Sequence, residues 1–365
     1  MTRVDVTLDT LRAIVAEVFP GSVVRAVTEL GKPESSALGA CNKVFGYGVP
    51  LRLDVVEADG TARALVFHTQ TANDFGHDRR ADRAALALLS FDTFGAIPAH
   101  VAPLDVGALG TAGEAVSLRR GGEFYLLTSY ADGDIYAHDL ERVAQRGVAE
   151  PRDLSRVETL ARYLARLHRE ERPRREGYVR ALRDLLGSGE GIFGLVDAYP
   201  EDTPSAPRSR LVQIEHACLD YRHRLRGRGD RLRRTHGDFH PFNLVFSDAG
   251  ELTVLDTSRG SEGDPADDAI CLSINYPFFA LDTADAWRGL GPLYRRFWDV
   301  YLDESRDLEL LTVAPPFLAW RALVLACPRW YPKLSAASRD ALLGLVEAAL
   351  STGRFEPSSV EALFR

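Results

Sequence analysis

Lysine is almost absent from this chain. Of 44 Lys plus Arg in 365 residues, lysine occurs only at Lys32, Lys43 and Lys333. No register can therefore place a lysine in the β-rich run Ala64-Leu65-Val66-Phe67-His68-Thr69. Long apolar stretches are also missing, so nothing in the sequence reads as a transmembrane span. The start, Met1-Thr2-Arg3-Val4-Asp5, lacks the charged-then-apolar form of a secretory signal, and the expected location is cytoplasmic. Cys41, Cys218, Cys271 and Cys327 are scattered without paired metal-ligand spacing. That argues against a disulfide framework or a zinc site and suits ordinary buried thiols in a reducing compartment. Positive charge is in deficit: the formal net charge is -8, which disfavours a general nucleic-acid binder. The one basic concentration, from Arg222 to Arg234, is broken by glycines and reads as a solvated helix end and loop.

With 45% hydrophobic residues, the chain can bury one large core or two smaller ones. Leu8, Leu11, Ile14, Val15 and Val18 form one stripe of a predicted helix closed by Phe19-Pro20-Gly21. Three β-rich runs follow, near 23–28, 44–56 and 63–69, with a turn at Ala58-Asp59-Gly60. They predict an antiparallel sheet. Residues 78–89 predict a helix with Ala81, Ala85, Leu88 and Leu89 on its apolar side. Beyond about residue 133 helical patterns dominate. The expectation is an α+β, bilobal chain, with a small antiparallel-sheet lobe over residues 1–128 and a larger, mainly helical lobe over 129–365.

The most informative segment is Thr235-His236-Gly237-Asp238-Phe239-His240-Pro241-Phe242-Asn243, followed by Val254-Leu255-Asp256. In phosphoryl transfer one carboxylate receives or orients a hydroxyl proton, while an amide and a second carboxylate hold magnesium against nucleotide phosphates. Asp238, Asn243 and Asp256 fit those roles in order. The runs Leu244-Val245-Phe246 and Leu252-Thr253-Val254-Leu255, separated by Ser247-Asp248-Ala249-Gly250, predict a hairpin. Such a hairpin would set the distance between Asn243 and Asp256. His236 reads as a loop-orienting residue, and His240 as either loop packing or a substrate contact.

These segments resemble the aminoglycoside phosphotransferase and choline kinase group of small-molecule kinases, whose fold is that of the protein kinases. Gly263-Asp264-Pro265-Ala266-Asp267-Asp268 looks like the family's element after the metal aspartate, which implies bracing roles for Asp264 and Asp268. Leu160 to His168 looks like the helix before the catalytic region. Tyr125 to Gly133 looks like the hinge that meets adenine, which implies nucleotide contacts near Thr128 and Tyr130. The resemblance spans roughly residues 20–280. It implies an ATP- or GTP-dependent, magnesium-dependent phosphotransferase acting on a hydroxyl of a small molecule.

On the nucleotide side, the loop from Leu30 to Asn42 offers glycine backbone and the donors Ser35, Ser36 and Asn42 around Gly39, and reads equally well as a plain strand connection. Kinases of this fold place a phosphate-gripping lysine in the third strand. Here that position falls on His68, so His68 or Lys43 is the candidate replacement. The missing lysine also admits a second reading, a nucleotide-binding or regulatory protein of pseudokinase type with little or no transfer. Glu262, Asp267 and Asp282 would favour a cationic acceptor. Gly189-Glu190-Gly191-Ile192-Phe193-Gly194 matches a dinucleotide-binding pattern but follows a helical run instead of a strand, which rules against that use. The aromatic series Trp287, Tyr294, Phe297, Trp298, Tyr301, Trp320, Trp330 and Tyr331 reads mainly as core.

Overall fold

The computed structural model describes residues 6–30, 50–73, 76–98, 100–257 and 259–364. The chain divides into two compact units, Met1–Thr128 and Ser129–Arg365. One is a small antiparallel-sheet unit and the other is larger and mainly helical, so the protein is α+β.

In the first unit, helix α1 (Leu8–Val18) starts where the Thr7 side chain accepts a hydrogen bond from the Thr10 amide at 3.1 Å. That satisfies one of the amides left unpaired at a helix start. Its apolar stripe puts Leu11 and Val15 against Val24, Leu53 and Val55. Those come from β1 (Val23–Glu29) and β2 (Leu51–Val56), which with β3 (Ala62–Phe67) form an antiparallel sheet in the order β1-β2-β3. Helix α2 (Arg80–Phe94) and the short hairpin β4 (Gly107–Leu109) with β5 (Ala115–Ser117) are the other elements among its described residues. The Thr10 hydroxyl donates to the Gly113 carbonyl at 2.6 Å, tying α1 to that hairpin.

Two expectations need correction here. His68 does not lie in the third strand: β3 ends at Phe67, paired with Leu51, and His68 is exposed beyond it. The residue opposite His68 would be Pro50, which has no N–H to extend the ladder. Helix α2 begins at Arg80 and runs on to Phe94, and Ala81, Ala85 and Leu89 are exposed. Residues 84–89 are apolar without a break, so the sequence defines no single stripe. The loop residues Ser35, Ser36, Gly39, Asn42 and Lys43 lie outside the described residues. Of the expected hinge, Thr128 and Tyr130 are exposed in an irregular segment.

The second unit opens with β6 (Asp134–Ile135), α3 (Tyr136–Arg146), α4 (Pro151–Leu167), α5 (Arg175–Gly187), α6 (Ile192–Asp197) and α7 (Arg208–Leu225). The catalytic-loop region carries β7 (Arg233–Arg234), β8 (Leu244–Phe246), β9 (Leu252–Val254) and β10 (Glu262–Gly263). Then come α8 (Pro265–Ser273), α9 (Asn275–Ala280), α10 (Ala286–Ser305), α11 (Leu310–Val313), α12 (Pro315–Ala326) and α13 (Ala336–Thr352). Helix α10 packs along α4, α3 and α9, while α12 is held by α13, α8, α6 and α7. The rings of Tyr294, Phe297, Trp298 and Tyr301 are buried in this core. Helix α12 is apolar all round and correspondingly buried, with Arg321 as its one charged residue.

Gly189 and Gly191 follow helix α5 and Gly194 lies within α6, which fits no dinucleotide-binding turn after a strand. The basic segment is not simply solvated. Arg231 is buried and paired with Asp264, Asp307 and Glu309, because this stretch packs under the start of α8. Cys218, Cys271 and Cys327 are free and buried. Among the described residues no helix is long and apolar enough to cross a membrane.

Candidate functional site

The site is built where two short ladders bring distant segments together. β7 pairs with β10, Arg234 opposite Glu262, and the Thr235 amide donates to the Ser261 carbonyl at 3.1 Å. This lays the loop after β7 against the start of α8. Asp268, fully buried in α8, then accepts from the His236 amide and the Gly237 amide, each at 2.8 Å. Gly237 has φ +82°, a backbone conformation that costs glycine nothing and strains other residues. His168, at the end of α4, completes the brace with Nε2 at 3.0 Å from Asp268 and Nδ1 at 2.8 Å from the Tyr301 hydroxyl. Burial pushes the Asp268 carboxyl up, but the His168 contact and the two amides outweigh it and hold the group below the usual carboxylate range.

Asp264 braces the same region one turn earlier. It caps α8 by accepting from the Ala266 amide at 2.9 Å, and it receives the Tyr178 hydroxyl at 2.7 Å. Arg231 reaches it with Nε at 2.8 Å and Nη2 at 3.0 Å, a bidentate fork. Phe239 is fully buried and stacks on Tyr163 at 5.6 Å between centroids. Burying that ring stabilises the loop by about 1.5–3 kcal/mol.

Asp238 projects from the braced loop and remains partly exposed. Its Oδ1 accepts from Arg321 Nη1 at 2.7 Å; its Oδ2 lies 3.2 Å from Asn243 Nδ2 and 3.4 Å from His240 Nε2. Burial pushes its carboxyl up, and the hydrogen bond from His240 together with the Arg321 charge more than reverse that. The net effect is a pKa far below the usual range, so the group is ionised at neutral pH. His240 Nδ1 accepts from the Phe242 amide at 3.2 Å, which leaves the Nε2 proton facing Asp238. His236 Nδ1 accepts from the Asp238 amide at 3.3 Å, and its Nε2 is buried with no partner among the described residues.

Asn243 ends a single turn over Pro241–Asn243 and also donates from Nδ2 to the Asp238 carbonyl at 3.0 Å. The hairpin then returns the chain: Leu244 pairs with Val254, and the Leu255 amide donates to the Asn243 carbonyl at 2.8 Å. Asp256, the next residue, is exposed with φ +49°. The structure thus gathers Asp238, Asn243, His236 and Asp268 by direct contact, and the hairpin carries Asp256 back beside Asn243.

Sequence reasoning missed Arg321. Besides Asp238, its Nη2 reaches the Gly237 carbonyl at 2.9 Å and Asp267 at 3.2 Å, and its guanidinium lies 3.6 Å over the Trp320 ring. Arg259 shares Asp267 and the Gly237 carbonyl, and lies 3.8 Å over the same indole. A lone arginine in an otherwise apolar helix was the available signal, since a buried charge must find a partner. The acids expected to attract a cationic acceptor are already engaged. Glu262 pairs with Arg174, Asp267 with Arg259 and Arg321, and Asp282 accepts from Ser335 and Ser338.

No curated protein matches the chain. Among solved structures it is similar to aminoglycoside phosphotransferase APH(3'')-Id from Streptomyces rimosus, at 17% identity over 74% of this chain and 89% of that one, with a TM-score of 0.34. The same enzyme in complex with ADP and streptomycin gives 16% identity, 75% and 90% coverage and a TM-score of 0.33. An aminoglycoside phosphotransferase from Alicyclobacillus acidocaldarius gives 11% identity, 99% and 96% coverage and a TM-score of 0.30. Residues 74–301, more than half of the chain, match the model of the phosphotransferase enzyme family (APH), and they contain the whole constellation from His168 to Asp268. The chain belongs to that phosphotransferase family.

Proposed function

We propose that this protein is a magnesium-dependent kinase that moves the terminal phosphoryl group of ATP or GTP to a hydroxyl of a small molecule. The observation that carries this reading is the direct contact of Asp238 with Asn243, with Asp256 returned beside Asn243 by the β8–β9 hairpin. The donor set suits magnesium. Asn243 commits its amide nitrogen to Asp238, which leaves the carbonyl end for a cation, and Asp256 is an exposed carboxylate. Both offer hard oxygen ligands. Among the described residues no group of three or more His, Cys, Asp and Glu is arranged to hold a metal. A magnesium ion that completes its shell with phosphates and water does not need one. Once bound, magnesium would neutralise phosphate charge in the transition state.

Asp238, held ionised and oriented by Arg321, Asn243 and His240, would fix the acceptor hydroxyl and take its proton. The new oxygen–phosphorus bond would form as the bond to the nucleoside diphosphate oxygen breaks. His236, Asp264 and Asp268 would act by holding the loop. Nucleotide contacts fall to the Ser35, Ser36, Gly39, Asn42 and Lys43 loop, to His68, and to the hinge around Thr128 and Tyr130. Buried free thiols fit a cytoplasmic setting.

One observation favours a second reading. β3 carries no lysine and His68 lies beyond its end, so the phosphate clamp of a typical kinase is missing and a nucleotide-binding regulator remains the alternative. Calorimetry of ATP and GTP with and without magnesium, on wild type and Asp256→Ala, tests the assignment. Magnesium-dependent binding lost in the variant supports the kinase site; tight binding indifferent to both changes supports the regulator. Unchanged transfer by Asp238→Asn to a found acceptor would refute the role given to that carboxylate.

A further inference from the structure

A cavity of about 370 Å³ opens between α9 and the segment joining α12 to α13, lined chiefly by Phe278, Leu281, Trp330, Tyr331, Lys333 and Leu334. Phe278 and Leu281 fall within residues 74–301, but the rest of the lining, Trp330 to Leu334, lies beyond the family match. Its volume suits a small organic molecule.

A run of aromatic rings leads from the catalytic loop to this cavity. Phe242, two residues after His240, is 6.3 Å from Phe279 between centroids; Phe279 is 5.9 Å from Phe278, and Phe278 is 4.8 Å edge-on to Tyr331. Cys271 sits beside the proposed base, its Sγ 4.0 Å from Asp238 Oδ1. The rings therefore connect Phe278 and Tyr331 of the cavity to the loop that carries the proposed base.

The charge around the cavity is positive. No Asp or Glu lines it. Lys333 is exposed and forms no ion pair with a described residue; nor does Arg329, whose guanidinium sits 5.5 Å over the Trp330 ring. Arg339 lies behind, donating to the carbonyls of Ala326 and Tyr331. Asp282, next to Leu281, is the nearest acid in sequence, and its carboxylate accepts from the Ser335 amide and hydroxyl at 2.6 Å each and from the Ser338 hydroxyl at 2.7 Å. A polycation entering here would face two free cations and no free carboxylate. An apolar body would lie against Trp330, Tyr331 and Phe278, and an acid at its end would meet Lys333 and Arg329.

We propose that the acceptor is an aryl or similarly apolar hydroxylated acid, seated in this cavity with its acidic group at Lys333 and Arg329 and its hydroxyl directed along the aromatic wall to Asp238. The proposal rests on the kinase reading for its last clause, while the binding it asserts needs neither nucleotide nor magnesium.

The test uses three phenols that share a 4-hydroxyphenylethyl body and end in an anionic, a neutral or a cationic group: 3-(4-hydroxyphenyl)propanoate, 2-(4-hydroxyphenyl)ethanol and 2-(4-hydroxyphenyl)ethylamine, with kanamycin as a polycation. Binding is measured calorimetrically on wild type, Lys333→Gln and Trp330→Ala, in both of which an exposed side chain is replaced. The expected result is roughly tenfold tighter binding of the acid than of the amine, as for a ligand gaining instead of losing charge complementarity. Lys333→Gln should reduce that ratio to about threefold or less, and Trp330→Ala should weaken all three phenols alike. Tighter binding of the amine or of kanamycin would overturn the proposal, as would an acid affinity unchanged in both variants. Because magnesium-nucleotide binding is measured separately on Asp256→Ala, failure of the kinase reading and failure of the acceptor assignment are told apart.

Discussion

Replacing Arg321 by methionine removes a buried guanidinium that holds Asp238, the Gly237 carbonyl and Asp267 at once, while keeping most of the side-chain volume within α12. Taking one partner from a buried ionic cluster leaves the carboxylates uncompensated, a loss of about 3–5 kcal/mol. That is a large share of the roughly 5–15 kcal/mol by which a domain is stable. All four tryptophans, Trp287, Trp298, Trp320 and Trp330, lie in the second unit, so indole fluorescence during urea unfolding reports on that unit alone. The pH dependence gives a sharper check. Asp238 is held far below its ordinary pKa, so its contribution is fully present above the unfolded value of about 4 and is lost as the pH falls through the folded value. The gap between wild type and Arg321→Met should be constant from pH 7 down to about 5 and narrow progressively below about 4. A difference under about 1 kcal/mol at pH 7, the scale of an exposed ion pair, would refute the account, and so would a gap that ignores pH.

Asp268→Asn should lower the stability of the second unit by about 2–3 kcal/mol, because charged hydrogen bonds to the His236 and Gly237 amides are weakened; faster hydrogen exchange at those amides is the direct measure. Since Asp268 is also held below its ordinary range, this difference should shrink as the pH drops under about 4. Asp264→Ala removes the cap of α8 and the buried bidentate partner of Arg231, which keeps only Asp307 and Glu309, so a loss of about 3 kcal/mol is expected; coupled replacement of Arg231 by leucine should recover part of it in a double-mutant cycle. Asp256→Ala, at an exposed position with left-handed backbone, should change stability by no more than about 1–2 kcal/mol in the same urea titration, which separates its expected effect on magnesium-nucleotide binding from any effect on folding.

The sequence by itself determined what is local. The bounds of helix α1 could be read because its stripe and its Phe19-Pro20-Gly21 stop are contiguous, although of that stripe Leu11 and Val15 are buried and Leu8 is exposed. The same holds for Asp238 and Asn243, which meet within one tight turn, and for the β8–β9 hairpin, whose turn residues and alternating runs are contiguous. The end of β3 was less accessible, because it depends on which residue of β2 stands opposite, and there it is Pro50 that stops the ladder. Only the tertiary structure decided the partners of the charges. His168 and Asp268 are 100 residues apart, Arg321 and Asp238 are 83 apart, and Arg231 meets Asp264 across 33. A one-dimensional pattern can show that a charge such as Arg321 sits in an apolar helix and must be compensated. Which carboxylate compensates it depends on how helices pack. That packing pairs Asp267 and Glu262 with arginines, and it leaves Lys333 lining an aromatic cavity with Arg329 over the Trp330 ring.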